Sequence, residues 1–343
     1  MPVKHGGLGI RLVGENSEAA HCASQRITTP LVEQIIKQSN EVPTKADEIQ
    51  ARSSTVKVMK EEQAKHVEEV TSKQNPDLRR TLGQLSEPGA SSWLNALPLE
   101  EQSFNLNKGE FRDALSLRYN NKPRNLPPKC PCGEKFDVTH ALNCKRGGFV
   151  NARHDNIKNF EARMLKLVAN DVEVEPQLLP VTGGVYQKSA NTSEEARPDV
   201  RARGFWRDGQ NAFFDVRVTN ADCESQKNMS LKAVLSKHEQ EKKRQYNQRI
   251  MNCDHGTFTP LVFTVTGVMG HECDLYHKAL ADKISRKRGD RYDDVMQYMR
   301  TKLSFLALKA TLLCLRGSRS MFTKSEQLEG GDFGMRLSEL RLK

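Results

Sequence analysis

The sequence is poor in aromatic side chains, which make up 6% of its 343 residues, and a hydrophobic share of 37% supports a moderate core rather than a large one. It has no apolar run long enough to cross a bilayer. The longest, residues 303–315, falls short of the roughly 20 residues a spanning helix needs and is interrupted by Lys309. The opening Met-Pro-Val-Lys-His-Gly-Gly has no apolar core region behind it, so nothing there reads as a secretory signal. Internal repeats are absent. A polymerase-type Tyr/Phe-x-Asp-Asp pair is absent too, since Asp293-Asp294 follows Tyr292 directly and lies in a helical pattern. These absences argue against a membrane-spanning protein, a secreted protein and a polymerase. They favour a soluble chain in a reducing compartment.

What is present is positive charge and a crowd of cysteines. The net charge of +10 and pI near 9.2 are spread along the chain rather than held in one arm. That distribution suits a surface for a polyanion, and the plainer reading is a solvated basic exterior. Three of the 8 cysteines gather with a histidine between positions 130 and 144. Cys130-Pro-Cys132-Gly is a turn carrying two thiolates, and His140 and Cys144 stand four apart, at helical spacing. Such a set closes a tetrahedron around zinc and leaves no open position, which marks a structural site. The spacing of Cys130 and Cys132 is tighter than the commoner Cys-x-x-Cys, and the alternative is three free thiols beside a surface histidine. His5, Cys22, Cys253 and Cys273 read as unrelated to it.

Residues 197–219 read as a β-hairpin around which the rest is organised. Val200, Ala202 and Gly204 alternate with Arg201 and Arg203, Asp208-Gly209 offers a turn, and Ala212-Phe213-Phe214 leads into Asp215-Val216-Arg217-Val218. Asp199 then starts the first strand and Asp215 lies inside the second. An acid inside an apolar strand is costly to bury unless paired or metal-bound. Two carboxylates converging from adjacent strands make an oxygen site suited to magnesium.

Around the hairpin the pattern predicts an α/β chain. Residues 153–169 form an amphipathic helix with Ile157, Phe160, Met164, Leu165 and Val168 on one stripe. Residues 172–175 read as a short strand, 182–196 as a surface loop, 231–250 as a charged helix and 261–266 as a buried strand. Two further helices, 274–288 and 292–315, finish the domain. Residues 41–87 are charged and poor in large apolar groups, a helical or disordered connector. Residues 88–128 are a helical lead-in, 129–148 the zinc knuckle, 149–318 the main domain and 319–343 a loose tail.

The order of these parts resembles the restriction-like PD-(D/E)xK endonuclease of site-specific non-LTR retrotransposons. Cys130, Cys132, His140 and Cys144 stand where that family has its zinc knuckle. Arg153-His154-Asp155 is similar to its Arg-His-Asn-type helix, Pro198-Asp199 to its Pro-Asp strand, and Asp215, after fifteen intervening residues, to the acid of its next strand. The resemblance covers about residues 88–318. Gly6-Gly7-Leu8-Gly9 resembles the junction after a retrotransposon reverse transcriptase, which makes residues 1–40 a remnant of that junction and the chain a C-terminal region without its polymerase.

The resemblance implies a fold, a reaction and roles. The fold is a short mixed sheet flanked by helices. The reaction is hydrolytic nicking of DNA, leaving a 3′ hydroxyl to prime reverse transcription. The cofactors are structural zinc and catalytic magnesium or manganese. DNA is the partner, with element RNA as a second, in the nucleus. Asp199 and Asp215 hold the divalent ion, with the Val216 carbonyl completing the shell. The usual lysine position, two after the second acid, is Arg217 here, which stabilises charge but is permanently protonated. The lysine then resembles one moved to the following helix, Lys242 first and Lys243 second, and the plainer reading of each is an ordinary solvated helix lysine. Glu175, or Glu161, is an additional carboxylate. Arg197, Arg201, Arg203, Arg207 and His154 contact phosphates, with Phe205 and Trp206 at the hairpin tip either beside them or in the core. The rivals are a repair or recombination nuclease of the same superfamily and a catalytically silent, zinc-containing nucleic-acid-binding remnant. The oligomeric state is left open.

Overall fold

The computed structural model describes residues 1–10, 13–40, 42–181 and 183–317, and the expected loose tail 319–343 lies outside the described residues. The chain divides into two compact units, Met1–Ser86 and Glu87–Lys343.

The first unit is helical. A short 3-10 turn, Val3–His5, is followed by α1 (Val13–Ile36), α2 (Lys45–Ser72) and α3 (Pro76–Ser86). The connector expected to be helical or disordered is therefore helix. Thr44 starts α2 with a capping box, its hydroxyl accepting from the Asp47 N–H at 3.2 Å while the Asp47 carboxylate accepts from the Thr44 N–H at 3.1 Å. Few large side chains are buried there, and Ile27, Leu31 and Ile35 of α1 stay exposed. Leu82 and Leu85 of α3 are buried, and Leu82 packs so closely on Gly6 that a Cβ there would meet it at 2.5 Å.

The second unit carries a four-stranded mixed sheet flanked by helices. Its elements are α4 (Ser92–Asn95), α5 (Lys108–Arg118), α6 (Val138–Asn143), α7 (Phe149–Lys166), β1 (Asn170–Val174), β2 (Val200–Arg203), β3 (Asn211–Thr219), α8 (Leu231–Asn252), β4 (Thr257–Thr264), α9 (His271–Arg288) and α10 (Tyr292–Arg316). The strand order is β1-β2-β3-β4, antiparallel except for β3 and β4, which run parallel and are joined through α8. The two-residue period of the strands separates two faces. Val200, Ala202, Phe214, Val216, Leu261 and Phe263 enter one core with Phe160, Met164 and Leu165 of α7, Tyr276 and Leu280 of α9, and Met299 and Leu303 of α10. Phe213 and Phe258 point the other way, against Tyr246 and Ile250 of α8. Asp215 has the parity of Phe213 and so faces α8.

β4 begins at Thr257, four residues before the expected 261, because it pairs with β3 from Ala212 onward. Pro260 hid this, since proline argues against a central strand. β4 is an edge strand, and Pro260 sits opposite Asp215 with its missing donor on the unpaired side. The hairpin closes as the spacing predicts: the Gly204 N–H donates to the Gln210 carbonyl at 2.9 Å, and Gly204 and Gly209 take φ of 81° and 75°. Its tip does not present two aromatics. Phe205 is fully buried against Phe214 and Tyr276, and Trp206 donates its indole N–H to Thr259 Oγ1 at 3.1 Å.

Candidate metal centre and acidic cleft

The knuckle is set by backbone turns before any ion is considered. Gly133, at φ 99°, donates to the Cys130 carbonyl at 2.8 Å, and the Cys130 N–H returns to the Glu134 carbonyl at 2.9 Å. Asp137 caps α6 by accepting from the His140 N–H at 2.8 Å, and the Cys144 N–H closes on the His140 carbonyl at 2.8 Å. These turns bring the four side chains together. Cys130 Sγ lies 3.8 Å from Cys144 Sγ, Cys132 Sγ lies 3.9 Å from Cys144 Sγ, and Cys132 Sγ is 3.3 Å from His140 Nε2. Zinc–sulfur bonds of about 2.3 Å put the corners of a tetrahedron roughly 3.8 Å apart, so the donor set fits a metal such as zinc. Among the described residues this is the only group of three or more His, Cys, Asp or Glu whose ligand atoms lie within 4.8 Å of one another. Cys130 and Cys144 are buried in a small core with Phe136, Ala141 and Leu315, which ties the knuckle to the end of α10. Burial pushes the Cys130 thiol up, while the Glu134 N–H holds Cys132 below the usual thiol value.

The acidic cleft arises where the hairpin stops pairing. β2 matches β3 from Arg203 opposite Asn211 to Val200 opposite Phe214, and no further. One step beyond that register stand Asp199 and Asp215. Val216 then lacks a strand partner for its N–H and C=O on the β2 side. Asp199 Oδ2 accepts the Val216 N–H at 2.6 Å, and His154 Nε2 lies 3.0 Å from Asp199 Oδ2 and 3.1 Å from the Val216 carbonyl oxygen. Asp155 Oδ1 stands 3.4 Å from His154 Nδ1, on the far side of the ring. The ring thus faces a carboxylate at each nitrogen. Burial alone would lower its pKa, but the hydrogen bond and charge of Asp199, then Asp155, raise it.

Asp215 is 3% exposed, and burial with the neighbouring Asp199 charge pushes its carboxyl up to about 6 against the opposing pull of Lys242. Lys242 Nζ lies 2.5 Å from Asp215 Oδ2, a largely buried ion pair. Lys243, the second lysine singled out, pairs instead with Glu272 at 2.6 Å. Lys242 also stands 5.7 Å from the Tyr246 ring centroid, one helical turn along α8.

The other expected site residues fall in several places. Arg217 follows Asp215 on the same face, 3.8 Å from Glu241. Glu175 sits at φ 54° with its N–H on the Asp199 carbonyl at 2.8 Å, but its carboxylate is taken by Lys158 of α7. Glu161 is not in the cleft. It is fully buried, accepting from Tyr276 Oη at 3.1 Å and facing His277 Nε2 at 3.0 Å. Arg201 and Arg203 pair with Glu173 at 2.7 Å and Asp171 at 2.6 Å, while Arg197 and Arg207 are exposed.

A polar chain behind Arg217 was missed by sequence reasoning. Thr219 Oγ1 donates to Gln226 Oε1 at 3.2 Å, Gln226 Nε2 to His238 Nε2 at 2.8 Å, and His238 Nδ1 to Glu241 Oε2 at 3.0 Å. Burial, with Arg217 and Lys237 nearby, lowers the pKa of His238, which fits the neutral Nδ1–H form that these partners require. The only sequence signal was three-residue helical spacing of His238 and Glu241. No helix among the described residues is long and apolar enough to cross a membrane. No protein-family model matches the chain, and no curated protein sequence matches it.

Proposed function

We propose that this chain is a divalent-metal-dependent DNA endonuclease with a PD-(D/E)xK core, derived from a non-LTR retrotransposon and stiffened by a structural zinc knuckle. The observation that carries the reading is the meeting of Asp199 and Asp215 where the β2–β3 pairing ends, with Lys242 Nζ 2.5 Å from Asp215. Asp199, Asp215 and the Val216 carbonyl supply oxygen donors of the kind magnesium and manganese take. Asp215 brings a buried carboxylate to that set. A bound ion supplies Lewis acidity toward the scissile phosphate. The chain's own residues do the rest. Lys242 orients a water beside Asp215 and offsets charge on the phosphate, Arg217 steadies a non-bridging oxygen, and exposed Arg197 and Arg207 hold the flanking backbone. The net charge of +10 favours a polyanionic substrate.

One observation favours a second reading, a silent nucleic-acid-binding remnant: each acid already faces a cation, Asp199 meeting His154 and Asp215 meeting Lys242. Nicking of supercoiled plasmid by the zinc-loaded protein with magnesium or manganese, beside Asp215→Ala, separates the two. Metal-dependent nicking lost in the variant supports the nuclease. DNA binding without nicking in either protein supports the silent remnant.

A further inference from the structure

His154 stands among atoms that the nuclease reading gives to the metal. Its Nε2 is 3.0 Å from Asp199 Oδ2 and 3.1 Å from the Val216 carbonyl oxygen. Adjacent ligands of an ion with bonds of about 2.1 Å stand roughly 3 Å apart, so the nitrogen is already at ligand spacing from both. The opposite nitrogen, Nδ1, faces Asp155 Oδ1 at 3.4 Å, and Lys158 holds that carboxylate at 3.0 Å while also pairing with Glu175. A carboxylate behind a histidine fixes ring orientation and tautomer wherever histidine binds metal. The local sequence provides this directly. His154 and Asp155 are consecutive on α7, and Lys158 is one turn further along the same helix. An imidazole facing two acceptors with its own acceptor behind it exceeds what a phosphate contact or a helix cap requires.

We propose that His154 is a ligand of the cleft cation, oriented by Asp155, and that this nitrogen donor makes manganese preferred over magnesium. The proposal rests on the nuclease reading of the cleft. Oxygen-only sets suit magnesium, whose demand for hard donors is strict, whereas an imidazole in the set favours first-row transition ions. Binding sends the Nε2 proton to solvent and leaves Nδ1–H on Asp155. Lys242 then remains as a side-chain cation against Asp215.

The test is pulsed electron paramagnetic resonance of manganese added to the full, zinc-loaded chain, with calorimetry of manganese and magnesium binding alongside. Nitrogen coupling to manganese is expected, and it should vanish in His154→Gln while zinc content is unchanged, which excludes His140 as its source. Calorimetry should show manganese binding weakened at least tenfold in His154→Gln and about tenfold in Asp155→Asn, the low end for loss of an orienting partner. Oxygen-only ligation in the unaltered protein, or equal manganese affinity in His154→Gln, overturns the proposal, and nicking that persists alongside leaves the nuclease standing. Nitrogen coupling without nicking by any ion upholds the ligand and removes the nuclease. No manganese binding at all overturns the proposal, and the absence of magnesium binding and of nicking beside it removes the nuclease as well.

Discussion

Lys242 Nζ lies 2.5 Å from Asp215 Oδ2, while its neighbour Lys243 reaches Glu272 Oε1 at 2.6 Å. Adjacent residues on a helix point about 100° apart, so only one of two consecutive lysines can enter the cleft. Lys242→Ala is expected to lower the nicking rate by about 10²–10³, the cost of removing a charge-stabilising donor from a water-poor site. Lys243→Ala, which breaks a partly exposed pair, should change it by no more than a few-fold. Single-turnover nicking rates of the two variants decide this, and equal losses would remove the special role of Lys242.

Burial holds the Asp215 carboxyl up at about 6, above its ordinary 3.8. The fold therefore binds more protons than the unfolded chain between those values. Stability falls as pH rises from about 4 to about 6 and stays low above that. Asp215→Asn should stabilise the protein at pH 7.5, without added magnesium or manganese, by up to about 3 kcal/mol, from roughly 1.4 kcal/mol per pH unit. It should also flatten the slope below pH 6. Urea unfolding of the zinc-loaded protein across this range measures both. A variant less stable at pH 7.5 would mean that the Lys242 attraction exceeds the burial cost.

Much of the site was legible because it follows strand periodicity and spacing. The alternation on either side of Asp208-Gly209 brought Asp199 and Asp215 near each other, with Asp199 expected to start the first strand. β2 begins one residue later, at Val200, so Asp199 lies just outside it. The crowding of Cys130, Cys132, His140 and Cys144 marked the knuckle. What was not legible depends on backbone groups and on which face a helix buries. Nothing in the sequence says that Val216 loses its strand partner, and that loss is what draws His154 into the cleft. Glu161 lies on the same helix as His154 but seven residues on, about two turns, and it meets His277 and Tyr276 in the interior. Glu175 carried a plausible acid, yet Lys158 holds it. The connector was ambiguous because charged composition suits both an exposed helix and a disordered segment, and the Thr44–Asp47 cap belongs to the helical choice.

The buried trio of Glu161, His277 and Tyr276 makes a stability prediction independent of the cleft. Burial alone would lower the His277 pKa, but the charge and hydrogen bond of Glu161 raise it. A histidine raised in the fold contributes stability that is fully present below its unfolded value, near 6.5, and lost as pH rises through the folded value. Glu161→Ala leaves the imidazole and the tyrosine hydroxyl without their acceptor and should cost on the order of 3–5 kcal/mol. It should also abolish this part of the pH dependence. Denaturation midpoints at pH 5.5 and 8 provide the check, and an unchanged difference between them would show that the pair is not ionised.

The knuckle should behave as part of the fold rather than as an appendage. Cys130 and Cys144 are buried with Leu315, a residue of α10, and the same helix sends Met299 and Leu303 into the core beneath the sheet. Loss of the metal would leave three thiols and an imidazole crowded together, with Cys130 costly to ionise in its buried position. The protein is expected to carry one zinc per chain and to lose it in Cys144→Ser, with a fall in melting temperature of several degrees. Thiol titration provides the sharper test, because Cys132 is exposed and would react at once if free. In the zinc-loaded chain Cys130, Cys132 and Cys144 should be protected together, and a chelator should release all three at one rate. Immediate reaction of Cys132 at full zinc content would place the metal elsewhere.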